Sequence, residues 1–428
     1  MIENTHLNLN LYVDFKNFNL KIKALFARWK DADVIDKEFQ SNEIKFPRDF
    51  CFQTNFERSL DKVKQANTAI FNSIGKSNDI TFDFSICKKV DSAALVFLQV
   101  MRLELMKDIR RLYRKFHKEE DKNITFIILP SKSAEVNRLL CVTGFMKKAD
   151  VYTGLVEIDS MLSPINNIGY LKGNKSNSGK SDVKGQFTDR IVKYLDSCLN
   201  HHGYEFTGGE IVNMTTAVGE ILGNAEDHCK FGQWYISANF SKEAVKKKTD
   251  KFVGEMNLTV LNFGDSIYEG YLSTKDKNHV QYNHVNNLVE DIIVKNPGLE
   301  FDKEQLFTVA IMQDTISRLR FEDDTRGTGT VTFVKSFLEI GDYKDSEKGY
   351  LPIISIISGK TYLILDHNCS PVKKGSIFKV ILDKELNKSV SVDTAYLRRL
   401  GSKLPGTLIG AKIYFNKEHF DVKYGGES

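Results

Sequence analysis

Apolar and polar positions in the first half of the chain predict strands that alternate with helices. The pattern predicts a strand over residues 80–86, a helix over 91–116 and a second strand over 124–129. A further helix is expected to begin near Ser133 and to run toward Leu140. This order of elements is typical of an open α/β layer.

The first 75 residues carry a less regular pattern. Residues 7–13 alternate like a strand, and residues 58–74 place apolar side chains at helical spacing before Gly75. Two interpretations stay open for this region. It is either a segment for dimerisation or partner binding, or an N-terminal extension of the α/β layer that follows.

The second half of the chain predicts another α/β domain. Apolar residues at helical spacing indicate an amphipathic helix, namely Ile211, Met214, Val218, Ile221, Leu222 and Ala225. A strand that begins near Leu258 runs into a tight turn at Gly264, and a glycine turn over 326–329 is expected to open a helix. Residues 350–365 are expected to form two strands joined by a turn at Gly359 and Lys360.

Three polar side chains interrupt the amphipathic helix at a spacing of four residues. Glu220, Asn224 and His228 should lie on one stripe, because residues i and i+4 are neighbours on a helix. A carboxylate can accept a proton, a carboxamide oxygen can bind Mg²⁺, and an imidazole can position a phosphate or close the site. The alternative is the solvated face of an ordinary amphipathic helix.

Two glycine motifs follow this helix, at residues 262–267 and 326–330. Glycines let the backbone approach a ligand closely, and free amides at a helix start favour a polyphosphate. In order with the Glu-Asn-His helix, the two motifs resemble those of the GHKL ATPases, which include the catalytic domains of gyrase and histidine kinases. The resemblance covers roughly residues 187–383 and is closest to the anti-sigma-factor branch.

The GHKL resemblance implies a role for each motif. Glu220 would be the general base and Asn224 the Mg²⁺ ligand, so ATP and Mg²⁺ are the expected cofactors. The ATP contacts it implies are Asn224, His228, Asn262, Gly264, Ile267, Arg326, Gly327, Gly329, Thr330 and Ser376. Among these, Ser376 stands at the start of a segment, residues 375–382, that resembles the closing Gly-Thr strand of the family.

The chain departs from the GHKL pattern at three positions. Asn262 stands where the family usually has Asp, Ser266 replaces the second glycine of that motif, and Thr330 replaces the third glycine of the phosphate loop. An Asn side chain can still accept a hydrogen bond from the adenine amino group and donate one to the ring nitrogen. Nucleotide binding is therefore more strongly predicted than rapid turnover.

A second resemblance covers residues 76–160. The segment from Val90 to Leu95, which follows the strand over 80–86, is similar to the strand-to-helix turn of STAS domains, the anti-sigma-antagonist fold. In that family a Ser at the helix start accepts phosphate, and Ser92 is the matching position. The alternative is that Asp91 or Ser92 caps the helix.

Together these patterns predict an α/β protein in which a STAS-like domain is fused to a GHKL-type α/β sandwich. The predicted order is an N-terminal extension of unknown role, the STAS-like domain, a flexible linker, the ATP-binding domain and a C-terminal extension, over residues 1–75, 76–165, 166–186, 187–383 and 384–428. The linker prediction comes from the Gly, Ser, Asn and Lys content around residues 172–182. That stretch resembles a P-loop but has five residues between Gly173 and Gly179, where the pattern needs four.

Almost sixty residues separate the two glycine motifs, with helices predicted over 279–295 and 302–320. By the GHKL resemblance this segment is an ATP lid, and Arg318, Arg320 and Arg326 near its end would report the state of the γ-phosphate. The alternative is two ordinary helices of a larger core.

Composition limits the class of protein further. The 428 residues suffice for two or three domains. No segment predicts a membrane span or a signal peptide, so a cytoplasmic location is expected. Six widely spaced cysteines indicate reduced thiols without a disulfide or zinc framework.

The expected partners are proteins. The net charge of +4 is small for this length, and no basic stripe is interleaved with aromatic residues, so nucleic acid is not expected. The basic run over 102–118 is interpreted as a solvated helix face, with membrane-surface or RNA contact as the alternative. The two resemblances imply STAS-like or sigma-like regulators as partners, and a homodimer stays open.

Two main functions stay open. The first is an ATP-dependent regulatory enzyme, either an anti-sigma-type serine/threonine protein kinase or an ATPase, that acts in protein partner switching. The second is a nucleotide-responsive binding module or scaffold without appreciable turnover. A gyrase-like or chaperone-like clamp is a third, for which no transducer motif is visible.

Overall fold

The chain folds as a mixed α/β protein with both parallel and antiparallel sheets. The computed structural model describes residues 35–36, 38–74, 79–116, 124–146, 168–174, 183–229, 233–241, 252–295, 298, 300–312, 329–341, 351–366, 369, 372–374, 377–379, 394–417 and 421–422. The chain divides into an N-terminal unit of residues 1–141 and 145–153 and a C-terminal unit of residues 142–144 and 154–428.

Parallel strands form the sheet of the N-terminal unit. Strands β1 (Glu43–Lys45), β3 (Asp79–Asp83) and β5 (Thr125–Leu129) lie in the order β1-β3-β5, and β2 (Asp49–Phe50) pairs with β4 (Lys89–Val90). The helices are α1 (Phe52–Asn72), α2 (Ser92–Phe116) and α3 (Ala134–Val142). The predicted alternation of strands and helices from β3 to α3 is therefore confirmed.

The carboxylate of Asp91 caps the N-termini of two helices in this unit. Asp91 accepts a hydrogen bond from Ala94 N–H in α2 (2.6 Å) and another from Gln53 N–H in α1 (3.1 Å). A carboxylate there satisfies free amides and interacts favourably with both helix dipoles. The capping alternative is thus confirmed for Asp91. Ser92, the predicted phosphate acceptor, has a side chain that is buried, with the residue 6% exposed.

The region before Gly75 belongs to this same unit. Helix α1 packs against α2 and against the strands β1 and β2. This packing favours the interpretation of the region as an extension of the α/β layer. Helix α1 begins at Phe52 rather than at the predicted Arg58. The strand predicted over residues 7–13 lies outside the described residues, as does Gly75 itself.

A five-stranded antiparallel sheet forms the C-terminal unit, in the order β10-β13-β9-β8-β6. Its strands are β6 (Ile168–Asn174), β8 (Gln233–Ser241), β9 (Phe252–Phe263), β10 (Ile353–Leu365) and β13 (Leu397–Asn416). Two short pairs join β7 (Tyr204–Glu205) to β14 (Asp421–Val422) and β11 (Val372–Lys374) to β12 (Ile377–Lys379).

Six described helices accompany this sheet. They are α4 (Val183–Asn200), α5 (Gly208–His228), α6 (Ile267–Leu272), α7 (His279–Lys295), α8 (Lys303–Ile311) and α9 (Gly329–Gly341). Alternate strand residues such as Ile236, Leu258 and Ala411 join buried residues of these helices in one hydrophobic cluster. We call this side of the sheet the helix face.

The linker predicted over residues 166–186 is wrong where the structure describes it. Residues 168–174 form the edge strand β6, and α4 already begins at Val183. The glycine that suggested a loop has a packing reason, because a Cβ at Gly173 would lie 2.0 Å from an indole carbon of Trp234. Residues 175–182 lie outside the described part of the chain.

The C-terminal boundary predicted for the ATP-binding domain is also wrong. Strand β13 falls in the segment predicted as a C-terminal extension, yet it pairs with both β9 and β10. The strand predicted to close the sheet over residues 375–382 is represented by β12, which pairs with β11. The alternation of apolar residues in β13 is interrupted by Gly401, Pro405 and Gly406, so the sequence did not predict a strand there.

The apolar run over 350–365 forms one strand and not the two predicted. Strand β10 pairs with β13 on both sides of Gly359, with register shifts at that residue. Gly359 has a φ of 60°, which glycine adopts without strain, so the chain bends and continues.

Much of the predicted ATP lid is part of the core. Tyr271 of α6, Val285 and Val289 of α7 and Leu306 of α8 are buried in the cluster on the helix face. The described part of the lid therefore fits the alternative of ordinary helices in a larger core. Residues 313–328, which include Arg318, Arg320 and Arg326, lie outside the described residues.

Two further predictions can be compared with the described residues. All six cysteines are free thiols, and only Cys141 among them is not buried, as expected from their spacing. No helix in the described part of the chain combines the length and apolar content that a membrane crossing needs.

Candidate functional site

Helix α5 carries the predicted Glu-Asn-His stripe. A capping box starts the helix, because Thr207 Oγ1 accepts from Glu210 N–H (3.3 Å) while the Glu210 carboxylate accepts from Thr207 N–H (3.0 Å). Val218, Ile221 and Leu222 hold the helix in the core. The amphipathic helix predicted from the sequence is confirmed.

Glu220 and Asn224 lie on a flank of α5 that differs from the flank packed on α4. Side chains of α4 reach over two glycines of α5: a Cβ at Gly219 would be 4.0 Å from Thr188 Oγ1, and one at Gly223 would be 3.6 Å from Lys184 Nζ. Successive helical residues differ by about 100° around the axis, so Glu220 and Asn224 lie roughly a quarter to a third of a turn around the helix from that contact. Both are half-buried, and α9 packs along the same helix. His228 is the last residue of α5.

A row of five residues crosses the sheet at the end of β9. Ser358 in β10 pairs with Thr407 in β13, Thr407 with Asn262 in β9, Asn262 with Trp234 in β8, and Trp234 with Gly173 in β6. Asn262 follows Leu258 and Val260 at alternate positions, which places it on the helix face. The four side chains of this row, called the polar row below, are all buried and all able to form hydrogen bonds.

The polar row is joined to helix α6 by a chain of hydrogen bonds. Ser358 Oγ accepts from the backbone N–H of Ile267 (2.8 Å) and lies 2.8 Å from Thr407 Oγ1. Ser358 Oγ is also 3.4 Å from the carbonyl oxygen of Gly406. The predicted ATP contact Ile267 is thus hydrogen-bonded to the polar row that contains Asn262, the other predicted contact.

Two glycines bring β9 and β13 together beside the polar row. Gly264 has a φ of 145° and Gly406 a φ of 125°, both in the region that favours glycine. Gly264 N–H donates to the carbonyl of Pro405 (3.4 Å). A Cβ at Gly406 would lie 2.1 Å from the carbonyl oxygen of Asn262, so only glycine fits this approach.

The sequence prediction missed three residues of the polar row, namely Ser358, Thr407 and Trp234, and for Thr407 a signal was available. The Gly-Thr strand was sought at residues 375–376, which lie outside the described residues together with the proposed contact Ser376. In the structure Gly406 and Thr407 stand directly beside Asn262. The Gly406-Thr407 dipeptide was the signal available in the sequence, but it lies so far from Asn262 along the chain that their pairing could not be predicted from it.

Ser266 has a local structural role. Its hydroxyl accepts from Glu269 N–H (3.2 Å), and the Glu269 carboxylate accepts from Ser266 N–H (3.0 Å), which forms the capping box of α6. Ser266 therefore fixes the start of this helix.

The second glycine motif, over residues 326–330, is only partly described. Helix α9 begins at Gly329, as the glycine turn predicted, and Thr330 is its second residue. Arg326 and Gly327 lie outside the described residues. Phe333, Val334 and Phe337 anchor α9 in the core on the helix face.

The polar row contains one donor without a partner. Trp234 Nε1 is fully buried and forms no hydrogen bond with any described residue, while the indole ring packs edge-on against Phe187 at 5.5 Å between ring centroids. A buried unpaired donor is rare and costs free energy. Such a group beside Asn262 fits a site where a polar, planar ligand is received.

Carboxylates fasten α6 and α8 to the sheet near this site. Glu304 of α8 accepts from Lys360 N–H (2.7 Å), and Glu269 forms an ion pair with Lys403. Burial, with Asp302 and Glu269 adding to it, raises the pKa of Glu304. Burial also opposes ionisation of Glu269, but hydrogen bonds from Lys403 and Ser266 hold its pKa below its usual value.

Replacing Glu304 by Gln should change the pH dependence of stability. Since the folded state binds the Glu304 proton more tightly than the unfolded state, the wild type loses stability as pH rises above about 4.5 through the raised pKa. Glu304→Gln keeps an oxygen for Lys360 N–H and removes that loss, so its stability relative to the wild type should improve between pH 4 and pH 7. Urea unfolding of both proteins between pH 4 and pH 7 measures this difference in the free energy of unfolding. Glu304→Ala, which lacks the acceptor, should be destabilised throughout, and a Gln variant that loses relative stability as pH rises would contradict the assignment.

Metal-binding capacity near α5 is limited. No three His, Cys, Asp or Glu side chains are grouped to hold a metal ion in the described part of the chain. Asn224 therefore fits Mg²⁺ only as a cation that takes most of its oxygen ligands from phosphates and water, which is its common mode with nucleotides.

Comparison with known proteins adds no relative. The chain matches no protein-family model, no curated protein and no solved structure.

Proposed function

We propose that the C-terminal unit binds ATP with Mg²⁺ in the manner of the GHKL ATPases and acts in protein partner switching. The observation that carries the proposal is the polar row. Asn262 and Thr407 are buried polar residues at strand positions that are otherwise apolar, on the face of the sheet that packs against α5 and α9. Trp234 Nε1 in this row is a buried donor without a hydrogen-bond partner among the described residues, and such a group is costly unless it meets a polar partner. A nucleotide base is a planar partner of that kind.

In this proposal the residues of α5 act on the phosphates. Asn224 offers a neutral oxygen to Mg²⁺, and bound Mg²⁺ supplies charge stabilisation at the phosphate oxygens. Glu220, which is half-buried, accepts a proton from water or from a protein hydroxyl group. The amides at the start of α9 favour the polyphosphate, because the first N–H groups of a helix have no intrahelical partner and carry the positive end of the helix dipole.

The reaction class divides into two candidates. A base at Glu220 supports an enzyme, either a serine/threonine protein kinase or an ATPase. The capping box at Ser266 and the core packing of α6 to α8 support a nucleotide-responsive module without turnover, because both fix backbone that a moving lid would need free. Neither candidate function uses Ser92, because its side chain is buried next to Asp91, which caps both α1 and α2.

Asn224→Ala tests the proposed site. The variant loses one oxygen ligand, so the Mg²⁺-dependent affinity for ATP should fall by at least about tenfold. Isothermal titration with ATP, with and without Mg²⁺, measures the change. The control is Asn213→Ala, the same substitution near the start of α5, which should leave the affinity unchanged. Equal Mg²⁺-dependent affinity in both variants and the wild type would remove α5 from the site.

A further inference from the structure

A groove runs between helices α4 and α5, on the flank of α5 that is packed on α4. Its cavity volume is about 460 Å³, which falls in the range of about 300–1,000 Å³ that is usual for small-molecule sites. The described residues that line it include Lys184, Thr188 and Val192 of α4 and Ile211, Thr215 and Gly219 of α5. Each set recurs at every fourth residue, so the groove follows one face of each helix.

Glycines of α5 leave room for the side chains of α4 in this groove. A Cβ at Gly219 would lie 4.0 Å from Thr188 Oγ1, and one at Gly223 would lie 3.6 Å from Lys184 Nζ. The later glycine thus faces the earlier residue of α4, which shows that the two helices are antiparallel. Ile211, two turns before Gly219, lies toward the opposite end of the groove and is exposed. The groove therefore has a cationic end and an apolar end.

One charge in the groove is not compensated. Asp189 and Lys193 form an ion pair at 2.7 Å, and the Asp196 carboxylate accepts from the Asn200 side chain at 2.9 Å. Lys184 forms no ion pair or hydrogen bond with any residue that the structure describes. It is half-buried and is the second residue of α4, so the positive end of that helix dipole adds to its charge. This end of the groove favours an anionic group.

A buried hydroxyl group lies beside the cationic end. Thr188 is 6% exposed, and its Oγ1 has no hydrogen-bond partner among the described residues. A buried polar atom without a partner is rare and costs free energy. Thr188 is one turn from Lys184, about 6 Å along the axis of α4, a separation that one carboxylate can bridge with an oxygen toward each residue. The hydroxyl and the ammonium groups thus offer two donors to one anion.

The remainder of the groove suits an apolar group. Val192 lines it one turn beyond Thr188, and the exposed side chain of Ile211 lines its other end. An apolar group that covers such side chains removes their surface from water, which raises affinity by about two- to fourfold for each buried methylene. The distance from Lys184 to Val192 is about 12 Å along the helix, enough for a short alkyl chain or a ring.

We propose that the groove between α4 and α5 binds a small amphiphilic carboxylate. Its carboxylate group contacts Lys184 and Thr188, and its apolar body lies along the groove toward Ile211. This flank of α5 is separate from the proposed nucleotide site, because Glu220 and Asn224 lie roughly a quarter to a third of a turn around the helix. Binding in the groove therefore does not require a bound nucleotide.

Titration of the full-length protein with octanoate, without nucleotide, tests the proposal. Methyl labelling lets NMR follow Val192 and Ile211 inside the groove, and their shifts should saturate. Hexanoate, which buries two fewer methylenes, should bind about four- to sixteenfold more weakly. Octanol and octylamine carry the same chain without the negative charge and should bind at least about tenfold more weakly than octanoate.

Lys184→Gln tests the cationic end. The variant keeps most of the side chain but loses its charge, so octanoate affinity should fall by at least about tenfold. The matched control is Lys193→Gln, the same change at a lysine of the groove that Asp189 already neutralises. Its affinity should stay within about threefold of the wild type.

Thr188→Val separates a binding role from a structural one. Removing a buried hydroxyl group that has no partner should raise the free energy of unfolding of the protein without octanoate. The same change removes a donor to the carboxylate, so octanoate affinity should fall by about three- to tenfold. Urea unfolding and the NMR titration measure the two effects, and a residue with only a structural role would not lower the affinity.

The outcomes distinguish this site from the nucleotide site. Octanoate that binds while ATP does not would remove the proposed function and leave the groove site in place. Shifts of Val192 and Ile211 that do not saturate would overturn the groove site. Equal octanoate affinity in the wild type and a folded Lys184→Gln variant would also overturn it, as would equal affinities of the wild type for octanoate and octylamine.

Discussion

Glu220→Gln is expected to lower the rate of ATP turnover by about a hundred- to ten-thousandfold, the usual effect of losing a general base. Gln has nearly the same shape but no basic oxygen, so ATP affinity should stay close to that of the wild type. Incubation with γ-labelled ATP and Mg²⁺ separates the reaction types. Released phosphate indicates an ATPase, and label on protein indicates a kinase.

The control for Glu220→Gln comes from the same helix. Glu226→Gln makes the same chemical change six residues later, on another flank of α5, and should leave the rate unchanged. A wild type that binds ATP but neither releases nor transfers phosphate would rule out the enzyme and favour the nucleotide-responsive module. Full activity of Glu220→Gln would show that another group accepts the proton.

The elements that the sequence predicted best carry local signals. Helix α5 combines apolar positions at helical spacing with a capping box at Thr207, and each signal lies within a few residues of the next. The β3–α2–β5 unit was likewise predicted, because Asp91 marks a helix start between two apolar strands. Local consistency of this kind is what a sequence pattern can report.

The parts that were missed depend on contacts between distant segments. Strands β6 and β13 contain glycines that read as loop residues, yet Gly173 makes room for an indole ring and Gly406 for a carbonyl group. Neither reason is visible without the partner strand. For the same reason Asn262 was predicted as a site residue from its own motif, while Thr407, which pairs with it, was not predicted.

The helices between the glycine motifs illustrate a different limit. Amphipathic spacing predicted α7 and α8, but it cannot distinguish a mobile lid from a helix packed in a core. The distinction lies in the partners of the apolar face, which here include the buried residues Val285, Val289 and Leu306 in the cluster on the helix face. An expectation of a long moving lid therefore came from the resemblance and was not a property of the pattern.

Gly406→Ala is expected to have the largest effect on stability among the changes considered. The residue has a φ of 125°, and an added Cβ would lie 2.1 Å from the Asn262 carbonyl oxygen and 3.0 Å from the Phe263 Cα. These are backbone atoms of β9, so the clash is relieved only by separating two central strands. Backbone strain and overpacking each cost about 1–3 kcal/mol, which together predict a loss of about 2–6 kcal/mol in the free energy of unfolding.

The measurement of Gly406→Ala needs a reporter for the C-terminal unit. The chain has two tryptophans, so a Trp29→Phe background leaves the buried Trp234 of the polar row as the only one, and urea unfolding can be followed by its fluorescence. The matched control is Gly219→Ala, where a Cβ meets nothing closer than Thr188 Oγ1 at 4.0 Å. Alanine in that helix should stabilise the unit by up to about 1 kcal/mol. If Gly406→Ala lowers the free energy of unfolding and Gly219→Ala raises it, the constraint lies at the contact between β9 and β13. Because the Asn262 carbonyl moves when these strands separate, Gly406→Ala should weaken nucleotide binding as well. A Gly406→Ala variant as stable as the wild type would mean that the two strands do not approach as closely as the polar row requires.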